Sequence, residues 1–127
     1  MENFQEKQNE FFDALLSKID IIQGVDLICF LNKDFQVIRE KNKSLIDLNV
    51  DNISNIIKSG IFNPENSTFS SPFKTCTLLN DNGLIIISKV SDKYDLYMVV
   101  FGGEKEPVDI INLLKLVKEA GNELINA

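Results

Sequence analysis

Apolar side chains recur at three- and four-residue spacing through Phe4, Phe11, Phe12, Leu15, Leu16, Ile19 and Ile22, which predicts an amphipathic helix over residues 3–22. Gly24 is its natural stop. Val25 to Leu31 (VDLICFL) is almost wholly apolar and rich in β-formers, the pattern of a strand covered on both faces. Asn32-Lys33-Asp34 turns the chain into Phe35 to Glu40 (FQVIRE), which is shorter and more polar, so the pair predicts a hairpin ending at a sheet edge.

A second helix is expected from a Ser44 cap, with Asp47 three residues on, to Gly60; Asp51 could restart it after a kink. Residues 63–72 (NPENSTFSSP) are loop by composition. Phe73 to Leu79 then reads as a strand, Asp81-Asn82-Gly83 as a tight turn, and Leu84 to Val90 as the partner strand. Ser91-Asp92-Lys93 turns again into a strand over Tyr94 to Phe101. Glu106-Pro107 is expected to open the last helix, whose core face carries Ile110, Leu113, Leu114, Val117, Ala120 and Leu124.

The order is αββαβββα, with no repeat or low-complexity tract to divide it, so one domain over residues 1–127 is expected. The strands at Val25–Leu31, Leu84–Ile87 and Tyr94–Phe101 are apolar on both faces and belong at the centre of a sheet. The more polar Phe35–Glu40 and Phe73–Leu79 belong at its edges. Both faces then need helical cover, which predicts a three-layer α/β/α fold of the α+β kind around a five-stranded antiparallel sheet. The first and last helices would share one face, and the middle helix would cover the other alone.

On a helical wheel started at Leu45, the middle helix has two apolar stripes. Ile46, Val50, Ile53 and Ile57 form one; Leu45, Leu48 and Ile56 form another, broken by Asn49 and Asn52. One stripe suffices for docking, so the second has the mixed character of an interface. The strand Phe73–Leu79 carries only Lys74 as a charge and is poorly protected against pairing with another chain. Both features predict a dimer surface containing Leu45, Leu48, Asn49, Asn52, Ile56, Phe73, Thr75 and Thr77. The alternative is that Ile61, Phe62 and Phe69 wrap the second stripe within one chain.

Charge and composition narrow the chemistry. With 13 basic against 19 acidic side chains the net charge is −6, and Arg39 is the sole arginine, a poor match to nucleic acid or anionic lipid. No apolar run approaches the ~20 residues that span a bilayer, and the first residues carry no signal-peptide core, so a cytoplasmic protein is expected. The chain has no histidine, which excludes zinc sites built on histidine and histidine catalysis. Cys29 and Cys76 have no CxxC spacing; Cys29 reads as a buried thiol, and a bridge between a central and an edge strand is not expected. The pairs Glu104/Glu106 and Asp92/Asp95 read as solvated charge rather than acid–base carboxylates, and Gly102-Gly103-Glu104-Lys105 lacks phosphate-loop spacing. No catalytic residue, cofactor or metal is assigned.

The chain resembles the roadblock/dynein light chain family. The matching features are the first helix ending in Ile21-Ile22-Gln23-Gly24-Val25, the DNG hairpin leading into Leu84–Ile87, and a final amphipathic helix after a glycine-containing loop. Asn32-Lys33-Asp34-Phe35 departs from the family, whose members commonly carry an Asp-Gly turn there. The resemblance implies a roadblock/profilin-like fold and a homodimer or heterodimer in which middle helices pack together and third strands pair. It also implies a non-catalytic platform for small Ras-like GTPases in polarity, motility or GTPase switching. An arginine finger would have to be Arg39, and a lone surface cation is far more often solvated. DLICFLNKDFQVIREKN also resembles the opening of PAS-like domains, so a small-molecule sensor is the competing reading, and a purely structural dimerisation module a third.

Overall fold

The computed structural model describes residues 4–43, 46, 47, 49–60, 62, 74–91 and 96–126. Its elements follow the expected order: α1 Phe4–Asp20, β1 Val25–Leu31, β2 Val37–Asn42, α2 Val50–Lys58, β3 Thr75–Asn80, β4 Gly83–Ser91, β5 Leu96–Gly102 and α3 Ile110–Asn126. All strand pairs are antiparallel and the sheet order is β2-β1-β5-β4-β3, so the three apolar strands are central and the two polar ones lie at the edges, as expected.

Side-chain alternation divides the core into two layers. Phe12, Leu15 and Ile19 of α1 and Leu113 and Val117 of α3 pack with Ile28, Phe30, Ile86, Met98 and Val100 on one face. Ile53 and Ile57 of α2, with Phe62, pack with Leu27, Cys29, Leu31, Ile87 and Val99 on the other. Val25 and Leu27 fall in opposite layers because the β1–β5 register shifts at Asp26, where one extra residue is accommodated. Phe30, Ile19 and Leu113 are fully buried, each contributing about 1.5–3 kcal/mol through removal from water. Lys41 on the edge strand β2 and Lys43 just after it reach Asp20 at 2.7 and 2.9 Å, and Arg39 pairs with Asp13, tying that edge to α1.

Several boundaries differ from the sequence expectation, each for a local reason. The middle helix begins at Val50 rather than after Ser44. The Asn42 side chain accepts from the Ile46 N–H at 2.9 Å and donates to the Ile46 carbonyl at 2.7 Å, so the link is held by an amide instead of helical bonds. Asn49 then caps α2, accepting from the Asn52 N–H at 3.2 Å. Likewise α3 starts at Ile110, because residues before it are bound to the α1–β1 turn. Glu106 accepts from Gly24 N and Gln23 Nε2, Asp109 N donates to the Gln23 carbonyl, and Asp109 caps the helix through Asn112 N. Gly24, at φ 87°, is required there, since a Cβ would lie 2.5 Å from the Pro107 carbonyl oxygen.

Strand β2 begins two residues later than expected, since Asn32 builds the turn: its Oδ1 accepts from Asp34 N and Gln36 N at 2.9 and 3.0 Å. Phe35 consequently takes φ 60°, the left-handed region usually left to glycine. Strand β3 is described from Thr75, and β5 from Leu96; the expected strand residues Phe73, Tyr94 and Asp95 lie outside the described residues.

Candidate interaction surface

The β3–β4 hairpin decides what the sheet edge offers. Asn80 pairs with Gly83 across the two-residue turn Asp81-Asn82, tightened by Asn82 N donating to Asn80 Oδ1 at 2.8 Å. Lys89 N donates to the Lys74 carbonyl at 2.7 Å, and ladder bonds alternate along an antiparallel pair. Cys76 and Leu78 therefore bond inward to Ile87 and Ile85, whereas Thr75, Thr77 and Leu79 turn their N–H and C=O groups outward. Thr77, Leu78, Leu79 and Asn80 are exposed, and among the described residues no strand pairs with that edge. Thr75 is pinned on the α1–α3 face, its hydroxyl 2.9 Å from that of Ser88.

On the opposite face, α2 leaves sheet uncovered. Nine helical residues span about 14 Å, while five strands spread over about 19 Å. Ile53 and Ile57 share one core cluster with Leu27, Cys29 and Leu31 of β1, Val99 of β5, Ile87 of β4 and Cys76 of β3, whereas Leu78 is 41% exposed and Ile85 and Phe101 are half-buried. With Ile46, Asp26 and Glu104 they line a hollow of about 440 Å³ at the hairpin end.

Of the sequence-predicted interface residues, Thr75 and Thr77 lie on this edge, and Ile56 is half-buried on the flank of α2. Asn52 is exposed, and Asn49 is the helix cap. Leu45, Leu48 and Phe73 lie outside the described residues, as do Ile61 and Phe69 of the expected wrapping loop, whereas Phe62 is buried beside Tyr97. Because α2 starts at Val50, its second stripe reduces to Ile56. Beside it, the sheet edge contributes exposed apolar surface through Leu78 and Leu79. Sequence reasoning missed Leu78 and Ile85, although Leu78 shares a strand face with Cys76 and Ile85 with Ile87.

Of the remaining chemistry, Arg39 and Cys29 lie away from that surface and Cys76 lies in its edge strand, β3. Arg39 lies on the far edge strand, half-buried and paired with Asp13. Cys29 is fully buried, its thiol pushed up to about 12, first by burial and then by the Glu40 charge; burial also raises the Cys76 thiol. Both face the α2 layer, in one row across Val99 and Ile87, so three strand spacings, about 14 Å, separate them, too far for a disulfide. Among the described residues no cluster of three or more metal-ligating side chains forms, and no helix is long and apolar enough to cross a membrane.

No family model matches the chain, and no curated protein matches it in sequence. Solved structures do share its fold. MglB of Myxococcus xanthus is 13% identical, with 97% of this chain and 94% of that one covered and a TM-score of 0.64. A Roadblock/LC7 domain from Streptomyces avermitilis is 17% identical over 89% and 97% of the two chains, with a TM-score of 0.56. LokiProfilin2, solved in complex with rabbit actin, is 18% identical over 95% and 97%, with a TM-score of 0.54. The chain is an α+β domain built on a five-stranded antiparallel sheet. Its fold is roadblock-like, of the kind shared with profilin-like proteins.

Proposed function

We propose that this chain is a single-domain, non-catalytic binding module of the cytoplasm that works as a homodimer and presents its assembled surface to a small Ras-like GTPase or to a complex containing one. The observation that carries the reading is the open β3 edge: outward-facing N–H and C=O groups at Thr75, Thr77 and Leu79 can be satisfied by the same edge of a second copy. Joined there, two sheets become one, and the hollows beside Leu78 and Ile85 adjoin the seam. Leu45, Leu48, Asn49, Asn52, Ile56, Phe73, Thr75 and Thr77 remain the proposed contact set. The GTPase partner rests on the family resemblance, supported by likeness in fold to MglB and the Roadblock/LC7 domain.

Thr77→Pro is the discriminating substitution. It removes an outward N–H and leaves the β3–β4 ladder intact, as proline is tolerated on an edge strand. Light scattering at micromolar concentration should give two chains for wild type and one for Thr77→Pro; a wild-type monomer would remove the dimer. Small Ras-like GTPases loaded with GDP or a GTP analogue should be retained by wild type and not by the variant. The hollow of about 440 Å³ favours a second reading, the PAS-like sensor, since its volume is that of a ligand site. A small molecule retained through purification, seen by native mass spectrometry, would move the assignment there.

A further inference from the structure

Asn82-Gly83 is the one Asn-Gly step in the chain, and it stands at the tip of the β3–β4 hairpin, with Asn82 exposed. A carboxamide in that position is a latent electrophile, because the next backbone nitrogen can close a five-membered ring on its carbon and glycine has no Cβ to hold the two apart. Elsewhere the described asparagine side chains are occupied or shielded. Asn32 and Asn42 clasp backbone groups, Asn49 accepts from Asn52 N, Asn80 accepts from Asn82 N, and Asn112 donates to Asp109. Asn9, Asn52 and Asn55 lie inside helices and precede Glu10, Ile53 and Ile56. Among the described residues nothing bonds the Asn82 carboxamide.

The ladder opposes ring closure, but only with its last pair. By the alternation set at Lys89, the Gly83 N–H donates to the Asn80 carbonyl. Freeing that nitrogen breaks this bond and the one from Asn82 N to Asn80 Oδ1, while Leu78 stays paired with Ile85 and Leu84 with Gly102. Such fraying lies far below global unfolding in free energy.

We propose that Asn82 is a site of spontaneous deamidation in the folded protein, and that the product loosens the hairpin tip and recharges the hollow beside it. Base takes the Gly83 N–H proton and the nitrogen attacks Asn82 Cγ; the N–Cγ bond forms, the Cγ–Nδ2 bond breaks, and ammonia leaves a succinimide. Water then opens the ring. Attack at Cγ gives an ordinary aspartate, whereas attack at the main-chain carbonyl carbon gives isoaspartate, with the chain rerouted through Cβ and Cγ. Isoaspartate puts one extra backbone atom into a two-residue loop, so Asn80 and Gly83 no longer oppose each other and the last ladder pair is lost. Either product is a carboxylate. Because Asn82 lines the hollow with Asp26 and Glu104, a third acidic group then joins two, which disfavours an anionic guest and favours a cationic one. The chemistry is independent of what occupies the hollow, and Asn82 lies outside the proposed dimer contact set.

The test is incubation of the whole folded chain in mildly alkaline buffer, with charge followed by native isoelectric focusing and position by peptide mapping. Asn82 should convert before any other asparagine, faster as pH rises, with the focused band moving toward the anode and isoaspartate detected in the peptide that contains residue 82. Asn82→Gln, which cannot close a five-membered ring, should keep the wild-type band; the mapping of wild type does not rely on that variant. In the isoaspartyl fraction the Gly83 amide should lose its protection from hydrogen exchange, while Asn82→Asp, with the same charge on an unaltered backbone, should retain it. The proposal is overturned if Asn82 persists in the folded chain for as long as the urea-unfolded chain takes to convert, or if another asparagine reacts first. Aspartate without isoaspartate, or a Gly83 amide equally protected in the isoaspartyl fraction, would overturn the loosening of the hairpin.

Discussion

Replacing Phe35 should reverse the usual order of alanine and glycine. Phe35 sits at φ 60°, where an L side chain costs about 1–2 kcal/mol. It is held there by its ring, 5.8 Å from the Tyr97 ring with the Lys58 ammonium 5.3 Å above, so it connects the β1–β2 turn, β5 and the end of α2. Truncation loses the half-burial of a phenyl group, about 1–1.5 kcal/mol. It also loses a ring pair, about 0.5–1.5 kcal/mol, and a cation–π contact of about 0.5–1 kcal/mol. Phe35→Ala keeps the strained backbone and bears all of that, a destabilisation of about 2–4 kcal/mol. Phe35→Gly loses the same contacts and relieves the strain, against about 0.5–1 kcal/mol of extra chain entropy in the unfolded state. Glycine should therefore be the more stable variant by about 0.5–1 kcal/mol, a urea midpoint about 0.3–0.5 M higher at fixed protein concentration. If alanine unfolds at the same urea concentration as glycine or a higher one, Phe35 is not strained.

The Asp20 carboxyl is held below the usual carboxylate range by hydrogen bonds from Lys41 and then Lys43. Its contribution is therefore complete above the ordinary value near 3.8 and is lost as pH falls through the lowered one. Urea midpoints measured down an acid series should fall more for wild type than for Asp20→Asn, and parallel curves would refute the link. Both thiols should resist iodoacetamide at neutral pH, with Cys76, 9% exposed on an edge strand, labelled before the fully buried Cys29. Equal labelling rates by mass spectrometry would contradict the burial.

Most of the fold was legible because two periodicities dominate the chain. Alternation and apolar runs separate central from edge strands, and the three-four spacing of Phe12, Leu15 and Ile19 and of Leu113 and Val117 marks the helix faces that reach the sheet. What failed to read was the set of polar side chains bonding to backbone. Ser44 and Asn49 are both good caps by residue type; Asn49 caps α2 here, while Asn42 clasps Ile46 and keeps the preceding link out of the helix. Pro107 suits a first helical turn equally well in isolation, but Glu106 and Asp109 are committed to the Gln23-Gly24 turn 80 and more residues away in sequence. Such contacts join segments that no local window contains.

The same distinction accounts for how the interaction surface was read. Two apolar stripes on one helix imply an interface because helical periodicity is visible in the sequence. Yet α2 is about 14 Å long, and what it fails to cover on the sheet matters more than what it exposes itself. Leu78 is exposed and Ile85 only half-buried because the nine residues of α2 are too few to cover every strand on that face. Their exposure follows from two lengths, that of a helix fixed by side-chain caps and that of a sheet fixed by strand number. The β2 edge meets the opposite condition: Arg39, Lys41 and Lys43 bind it to Asp13 and Asp20 on α1, and charged edges resist pairing. One sheet therefore has a guarded border and an open one, and an assembly formed by strand addition must grow from β3.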